Sequence, residues 1–372
     1  MKIVHFSDTH LGFSEYNKLD PETGINQREQ DFYNSWNNII HQIIEKKPDM
    51  VLHAGDLFHT TRPSNRAIAV AFEGIRKISD AGIPFVIVAG NHSTPKIRAT
   101  GSIFEAISLF TNVNAAYQGR YQRFEICSVD IHCVPHCSLT EELEQAFHDI
   151  VIRSDAKQNV LLTHGAWAGS KNYSMGEFNE QHIPNPELKL NMQFDYIALG
   201  HYHKHITIAD HIIYCGSPER TSFNEAVNTT GYMWLDLDAK KFEHIELPSR
   251  KMIKLPPLDC TEFTVAEIYL ALEKLSTPEL EDALVSLDLK NIQHDSFIKL
   301  DWREIDRLFK QVFHLEKTFS HIERGGTTVT SSSFDSLTVE FERYIDRLSL
   351  TDLDGEWLKK TGLHYLSEEL EE

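Results

Sequence analysis

Five short apolar runs most constrain the fold: KIVHFS (2–7), DMVLHAG (49–55), PFVIVAG (84–90), NVLLTHG (159–165) and FDYIALG (194–200). Each is bulky and nearly continuous, the pattern of strands covered on both faces. Between the first two runs, Phe32, Trp36, Ile39, Ile40 and Ile43 share a helical stripe, which predicts a core-facing helix over 28–44. This alternation points to an α/β fold up to about residue 250. Segments 123–128 and 131–135 carry interspersed polar residues and read as an antiparallel pair. HIIYCGS (211–217), GYMWLDL (231–237) and FEHIEL (242–247) suggest hairpins.

Every one of the five runs ends in residues that ligate metals: Asp8 and His10, Asp56, Asn91 and His92, His164, and His201 and His203. In open α/β sheets, sites form beyond the carboxyl ends of strands. Gly55, Gly90 and Gly200 immediately precede ligand-type residues, where a strand exit needs a sharp turn. Within GHYHKH (200–205), alternate residues of an extended segment face one side, so His201 and His203 can converge. His205 reads as a solvated or supporting ring. Eight oxygen and imidazole donors exceed one tetrahedral site and suit two metals about 3.5–4 Å apart. Mixed O/N ligation without thiolate favours Mn²⁺, Fe or Zn²⁺ over Ca²⁺.

The formal charge of −19 is a constraint on partners. An acidic chain repels nucleic acid at long range, so a nucleic-acid function must draw positive charge from metals, local patches or a partner. Part of the charge is local, because residues 334–372 hold 11 acidic and 4 basic side chains. Arg62, Arg66, Lys96 and Arg98 flank the ligand motifs and either meet DNA phosphates or are ordinary surface charges. The odd set Cys127, Cys133, Cys137, Cys215 and Cys260 lacks a C-x-x-C pair and fits a reducing compartment. Cys127, Cys133 and Cys137 are expected to be buried or inert. MKIVHFSDTH has no basic region followed by an apolar run, and no stretch approaches the roughly 18 apolar residues of a span. A cytoplasmic or nucleoid-associated location is expected.

The motifs D-x-H, G-D, G-N-H, H and G-H-x-H, in this order over residues 8–203, resemble those of the calcineurin-like metallophosphoesterases. SDTHLGF, REQDFYNSW (28–36), GDLFHTTRPS (55–64) and GSPERTSF (216–223) resemble one branch of that family. This is the nuclease subunit of the DNA double-strand-break repair complex, the SbcD type of bacteria. The resemblance is specific over about 1–250. It implies a metallophosphoesterase β-sandwich flanked by helices, and a homodimeric Mn²⁺-dependent exo- and endonuclease acting on DNA ends. Asp8, His10 and His203 would hold one metal, Asn91, His164 and His201 the other, and Asp56 both. His92 would be catalytic, and His59 would lie near the scissile phosphate. Many relatives have an acid after G-N-H where this chain has Ser93. If that acid orients His92, proton transfer here is expected to be slower.

LPSRKMIKLPPLD (247–259) marks a boundary, and helix-like stretches at 266–275 and 301–318 with strand-like 283–292 make a small α+β unit. RGGTTVTSSS (324–333) has linker composition. Leu337, Phe341, Tyr344, Ile345 and Leu348 then form a helical stripe, and Trp357, Leu358, Tyr365 and Leu366 a further cluster. The expected organisation is a nuclease domain (1–250), a capping and DNA-binding domain (251–328), and a linker with a helical tail (329–372). The resemblance implies that this tail grips an SMC-type ATPase, SbcC in bacteria. Alternatively, the stripe packs on its own chain. Two other functions stay open: a phosphodiesterase or phosphatase on small nucleotide esters, and a weakly active scaffold bridging DNA and the ATPase.

Overall fold

The computed structural model describes residues 1–95, 101–167, 181–184 and 188–322, the backbone of 328–330, and residues 345, 358, 359 and 361. The chain divides into two units, Met1–Lys251 and Met252–Glu372.

The first unit opens with β1 (Lys2–Phe6), α1 (Gln27–Lys46), β2 (Met50–His53), α2 (Asn65–Asp80), β3 (Phe85–Val88), α3 (Ile103–Ile107) and β4 (Val113–Ala116). There follow β5 (Gln122–Ile126), β6 (Val129–Val134), α4 (Thr140–His148), β7 (Gln158–His164), β8 (Ala166–Trp167) and β9 (His182–Ile183). It closes with β10 (Tyr196–Gly200), β11 (Ile206–Ala209), β12 (Ile212–Tyr214), β13 (Gly231–Asp236) and β14 (Lys241–Glu246). Two six-stranded sheets result, ordered β14-β13-β1-β2-β3-β4 and β11-β12-β10-β7-β6-β5. Strands β1 to β4 are mutually parallel, as are β6, β7, β10 and β12.

Alternate side chains explain why the central strands read as unbroken apolar runs. Ile3, Met50, Leu52 and Val86 of the first sheet meet Val129, Ile131, Val160 and Leu162 of the second in one core. The opposite faces are covered as well. Val4, Phe6, Val51 and Phe85 pack with Trp36, Ile39 and Ile40 of α1 and Ala71 and Ile75 of α2. Leu161, Ile197 and Leu199 pack with Leu143 and Phe147 of α4. Helix α1 starts where the Asn26 side chain accepts from the N–H groups of Arg28 and Glu29. It stops at Lys47 in the left-handed region. The β5–β6 hairpin turns on Cys127 and Ser128, both at positive φ (52° and 66°), which matches a two-residue type I′ loop. Of the three cysteines expected to be buried or inert, Cys127 is therefore exposed, while Cys133 and Cys137 are buried. Among the described residues no helix is long and apolar enough to cross a membrane.

Two buried histidines, His5 and His53, tie this core to pH. His5 Nδ1 bonds the Tyr196 hydroxyl at 2.9 Å, and burial pulls the pKa of both rings down to about 3. Below the ordinary value of about 6.5 the unfolded chain takes up a proton that the folded core refuses. Each ring's contribution is thus full above pH 6.5 and falls with acidification at about 1.4 kcal/mol per pH unit until the folded value is reached. Urea unfolding of metal-stripped protein between pH 6.5 and 5 should show this slope. His5→Phe should make it shallower by about one proton, and an unchanged slope would contradict the assignment.

The second unit contains β15 (Met252–Lys254), β16 (Leu258–Asp259), α5 (Val265–Leu275), β17 (Leu284–Gln293), α6 (His294–Lys299), α7 (Trp302–Leu308), β18 (His314–Ile322) and β19 (Thr328–Thr330). Its sheet runs β15-β17-β18-β19, with β16 also on β17. Ile268 and Leu272 of α5 and Ile305 of α7 cover Val285, Leu287 and Leu289 of β17. The helix expected over 301–318 ends at Leu308. From His314 the chain pairs in parallel with β17 instead, so a non-local partner outweighs local apolar spacing. Within the linker-like stretch, Thr328–Thr330 forms a strand against β18. The apolar stripe of 337–348 and the cluster of 357–366 lie outside the described residues, except Ile345, which is buried, and Leu358.

Candidate active site

Because the central strands of both sheets are parallel, their carboxyl ends share one rim, and the loops there are held to each other by main-chain bonds. Asp8 N–H donates to the Gly55 carbonyl (3.0 Å), His10 N–H to Asp56 (3.1 Å) and Leu11 N–H to Leu57 (2.9 Å). Four of the candidate ligands adopt positive φ: Asp8 (53°), His10 (41°), Asp56 (54°) and His201 (107°). Non-glycine residues resist this region, and such strain gathers at functional sites. For His201 the restraint is visible, since its N–H donates to both carboxylate oxygens of Asp8 at 3.1 and 3.2 Å. His201 and His203 therefore reach the site from a strained loop rather than from an extended strand. The glycines divide similarly. Gly55 turns the chain at φ 100°, whereas a Cβ on Gly200 would lie 2.0 Å from the Ala54 carbonyl oxygen. Close approach, not turning, excludes a side chain at Gly200.

The rim brings together all seven expected metal-holding residues. Asp8, His10 and His203 present ligand atoms within 4.8 Å of one another, as do Asp8, Asp56 and His164, and also His10, His59 and His92. His10 Nε2 and His203 Nε2 are 2.9 Å apart. His164 Nε2 lies 2.8 Å from Asn91 Oδ1 and 3.3 Å from Asp56 Oδ2. The His201 ring centroid is 5.3 Å from that of His164. His205, by contrast, faces away: it bonds the Tyr214 carbonyl (3.0 Å) and stacks on His244 at 4.3 Å.

Tautomers decide what these contacts can hold. His164 Nδ1 donates to the Ala54 carbonyl (2.8 Å), and His203 Nδ1 donates to Glu225 Oε1 (2.8 Å). Each ring therefore turns the lone pair of Nε2 inward. At His164 that lone pair meets two oxygens, an arrangement that needs a proton or a cation between them. The ionisation of the rings expresses the same demand. Burial alone would lower His164, but the Asp56 carboxylate outweighs it and pushes the ring up to about 9. Burial also opposes His203, and Glu225 pushes it up to about 9. The two carboxyls split: burial raises Asp8, while at Asp56 it is outweighed by His164 and the pKa falls. A divalent ion is thus chemically suited to the donor set, and it would displace protons on entering.

His92 and His59 stack at 5.4 Å and 22° beside these clusters. His92 N–H donates to Asp56 Oδ1 (3.0 Å), and its Nδ1 donates to the His59 carbonyl (2.9 Å). Ser93 does not orient His92, since its buried Oγ has no partner among the described residues. The ring of His92 is held by a main-chain carbonyl, that of His59, and not by the side chain at position 93. Burial, then the charge of His92, lowers His59 to about 4. Arg62 is exposed. Arg66 is half exposed and sits 3.8 Å from Glu29, while Lys96 and Arg98 lie outside the described residues.

Three residues at the rim went unread in the sequence. Glu225 orients His203 and is itself fixed by Thr221, whose N–H and hydroxyl both donate to it at 2.7 Å. Nothing marks a lone glutamate 22 residues after its histidine. His136 follows β6, the sixth strand reaching this rim, in the sequence Val-Pro-His-Cys with no glycine beside it.

With this geometry in view, the profile of the calcineurin-like phosphoesterase family matches residues 1–205. Among curated proteins, the DNA double-strand break repair protein Mre11 of Methanocaldococcus jannaschii is 28% identical over 282 residues, 72% of each chain. Its namesake in Haloferax volcanii is 27% identical over 303 residues, 78% of this chain and 61% of that one. The Sulfurisphaera tokodaii protein of the same name is 32% identical over 206 residues, 54% of this chain and 49% of its own. The matched parts span from about half to three quarters of these relatives.

Proposed function

The chain belongs to the calcineurin-like phosphoesterase family, and within it we propose a Mn²⁺-dependent nuclease that processes DNA double-strand ends, as a homodimer, with an SMC-type ATPase. The observation that carries the reading is the inward lone pair of His164 Nε2 against Asn91 and Asp56, a site suited to a cation, beside a second such cluster at His10 and His203. The similarity to three proteins named for double-strand break repair directs it to DNA. Residues 251–328 would add DNA contacts, and the apolar stripe beyond residue 336 would bind the ATPase.

In this reading Asp8, His10 and His203 hold one metal, Asn91, His164 and His201 the other, and Asp56 both. The metals, when bound, activate water and offset phosphate charge. The protein supplies the rest. His92, its Nδ1 committed to the His59 carbonyl, carries a proton on Nε2 and gives it to the departing ribose oxygen as the P–O bond breaks. His59, stacked on His92, lies beside the scissile phosphate. Arg62, and Arg66 once released from Glu29, meet flanking phosphates, as would Lys96 and Arg98. Glu225 accepts from the Nδ1 of His203 and so fixes the ring with Nε2 turned toward the cluster, where a metal would displace the second proton. Partners of this kind typically carry about 10–100-fold in metal affinity. Glu225→Ala should therefore weaken Mn²⁺ binding by that factor in a calorimetric titration, and unchanged affinity would refute the role.

The deciding experiment is cleavage of end-labelled linear duplex DNA by the purified chain in Mn²⁺, with bis-p-nitrophenyl phosphate as a parallel substrate. Degradation of both supports the nuclease. Hydrolysis of the ester with DNA intact, also after addition of the ATPase, favours an enzyme of small nucleotide esters. Inactivity on both favours a scaffold.

A further inference from the structure

We propose that His136 is a substrate-contact residue of this site, its imidazole donating a hydrogen bond to a phosphate oxygen of the bound phosphodiester. Strand β6 runs parallel to β7, with Val134 paired to Thr163, so its carboxyl end reaches the rim beside His164. Pro135 ends the strand, and the N–H of His136 donates to the Ala89 carbonyl at 2.9 Å. That bond fixes residue 136 to the loop that carries Asn91 and His92, two and three residues further on. His164, Asp56, His201 and His92 all lie within electrostatic range of its ring. Yet His136 is absent from every group of converging ligand atoms among the described residues. Its ring is at the site but not in the metal-type clusters.

The ring is half-buried; its Nδ1 is closed to solvent and has no hydrogen-bond partner among the described residues, which leaves Nε2 as the nitrogen to meet substrate. Polar atoms left without a partner in a buried setting are uncommon and call for one. His132, on the same strand, shows the contrast: both of its ring nitrogens are bonded, to Tyr121 and to Asn159. The rim already presents Asp8 and Asp56 to the ions, and a phosphodiester brings further negative oxygens. Its non-bridging oxygens accept hydrogen bonds, and a neutral imidazole offers a donor without another full charge to compete with the metals.

The inference rests on the phosphoesterase reading but not on DNA as the substrate. In the full chain, His136→Phe keeps the bulk of the ring and removes both nitrogens, while His136→Gln returns an N–H donor. Calorimetry with inorganic phosphate on the Mn²⁺-loaded protein should show affinity about tenfold weaker in His136→Phe, partly recovered in His136→Gln. Mn²⁺ titration alone should be unchanged, and kcat/KM for bis-p-nitrophenyl phosphate should fall by a similar factor. Unchanged phosphate affinity would overturn the inference, as would a matching loss of Mn²⁺ affinity, which would make His136 a support of the metals. Should the phenylalanine variant not fold, His136→Ala carries the same comparison. Wild-type hydrolysis of the ester with DNA left intact, also after addition of the ATPase, would reject the nuclease, and the role of His136 would then be decided by the phosphate and ester arms alone.

Discussion

Asp56→Asn is expected to reduce DNA cleavage by about 10³-fold or more while leaving the fold intact. Asp56 is the carboxylate shared by the site: Oδ2 lies 3.3 Å from His164 Nε2, and Oδ1 accepts the His92 N–H at 3.0 Å. An asparagine keeps the size of the side chain and an acceptor for His92, so the main-chain arrangement survives. What it loses is the negative charge that would hold a cation against His164. Metal stabilisation of a transferring phosphoryl group is worth several kcal/mol, and each 1.4 kcal/mol is tenfold in rate, so about 10³ follows. The measurement is initial rate on end-labelled duplex, with bound Mn²⁺ counted by elemental analysis. A variant with one metal fewer and an unchanged circular dichroism spectrum would fit. Retention of more than a tenth of the rate would show that Asp56 is not shared between two ions. His164 supports the same conclusion from the other side of the contact. Its ring is pushed up to about 9 by the Asp56 carboxylate, so in Asp56→Asn that imidazole should titrate lower.

The rim was legible because parallel strands buried on both faces leave a strong trace. In Val4, Phe6, Val51, Leu52, Val86 and Ile87 both side-chain directions are apolar, and the ligand-type residues begin where those runs stop. What depended on distant pairing was not legible. Residues 309–318 hold Phe309, Val312, Phe313 and Leu315 at helical spacing, yet the strand from His314 is set by Leu284–Gln293, some 30 residues earlier. Main-chain partners leave no letter either. The carbonyls of Ala54 and His59 fix the tautomers of His164 and His92 whatever their side chains are. The concern over Ser93 arose for that reason, and the same blindness hid Glu225, a single residue in a short 3₁₀ turn. His201 and His203 were placed on one side by assuming an extended chain. They do converge, but through a loop with His201 at φ 107°.

REQDF and GSPER, two stretches distinctive in the sequence, come together as one buried ion network, and Arg28→Met should break it. Arg28 is fully buried in the first turn of α1. Its guanidinium donates to Asp31 (2.9 Å), to Glu219 (3.1 Å) and to the carbonyl of Arg220. Asp31 in turn accepts two bonds from Arg250, at 2.7 and 2.9 Å. Burial raises the pKa of Glu219, and the charge of Arg28 opposes this. Methionine fills much of the volume but leaves Glu219 in the interior without its cation. Breaking a buried pair from one side costs about 3–5 kcal/mol, or roughly 10 °C in melting temperature for a unit of this size. The loop from Glu219 also carries Thr221 and Glu225, which hold His203. Arg28→Met should therefore weaken Mn²⁺ binding as well, although Arg28 touches no candidate ligand. Arg28→Met combined with Glu219→Leu removes both charges and should regain most of the melting temperature, because an apolar pair replaces the ionic one. Mn²⁺ affinity should recover with it if the network acts by positioning the loop. A melting shift under about 2 °C in the single variant would show that water, not Arg28, already compensates Glu219. Recovery of stability without recovery of metal affinity would instead mean that the guanidinium bond to the Arg220 carbonyl, lost in both variants, is what sets the loop that places Glu225 on His203.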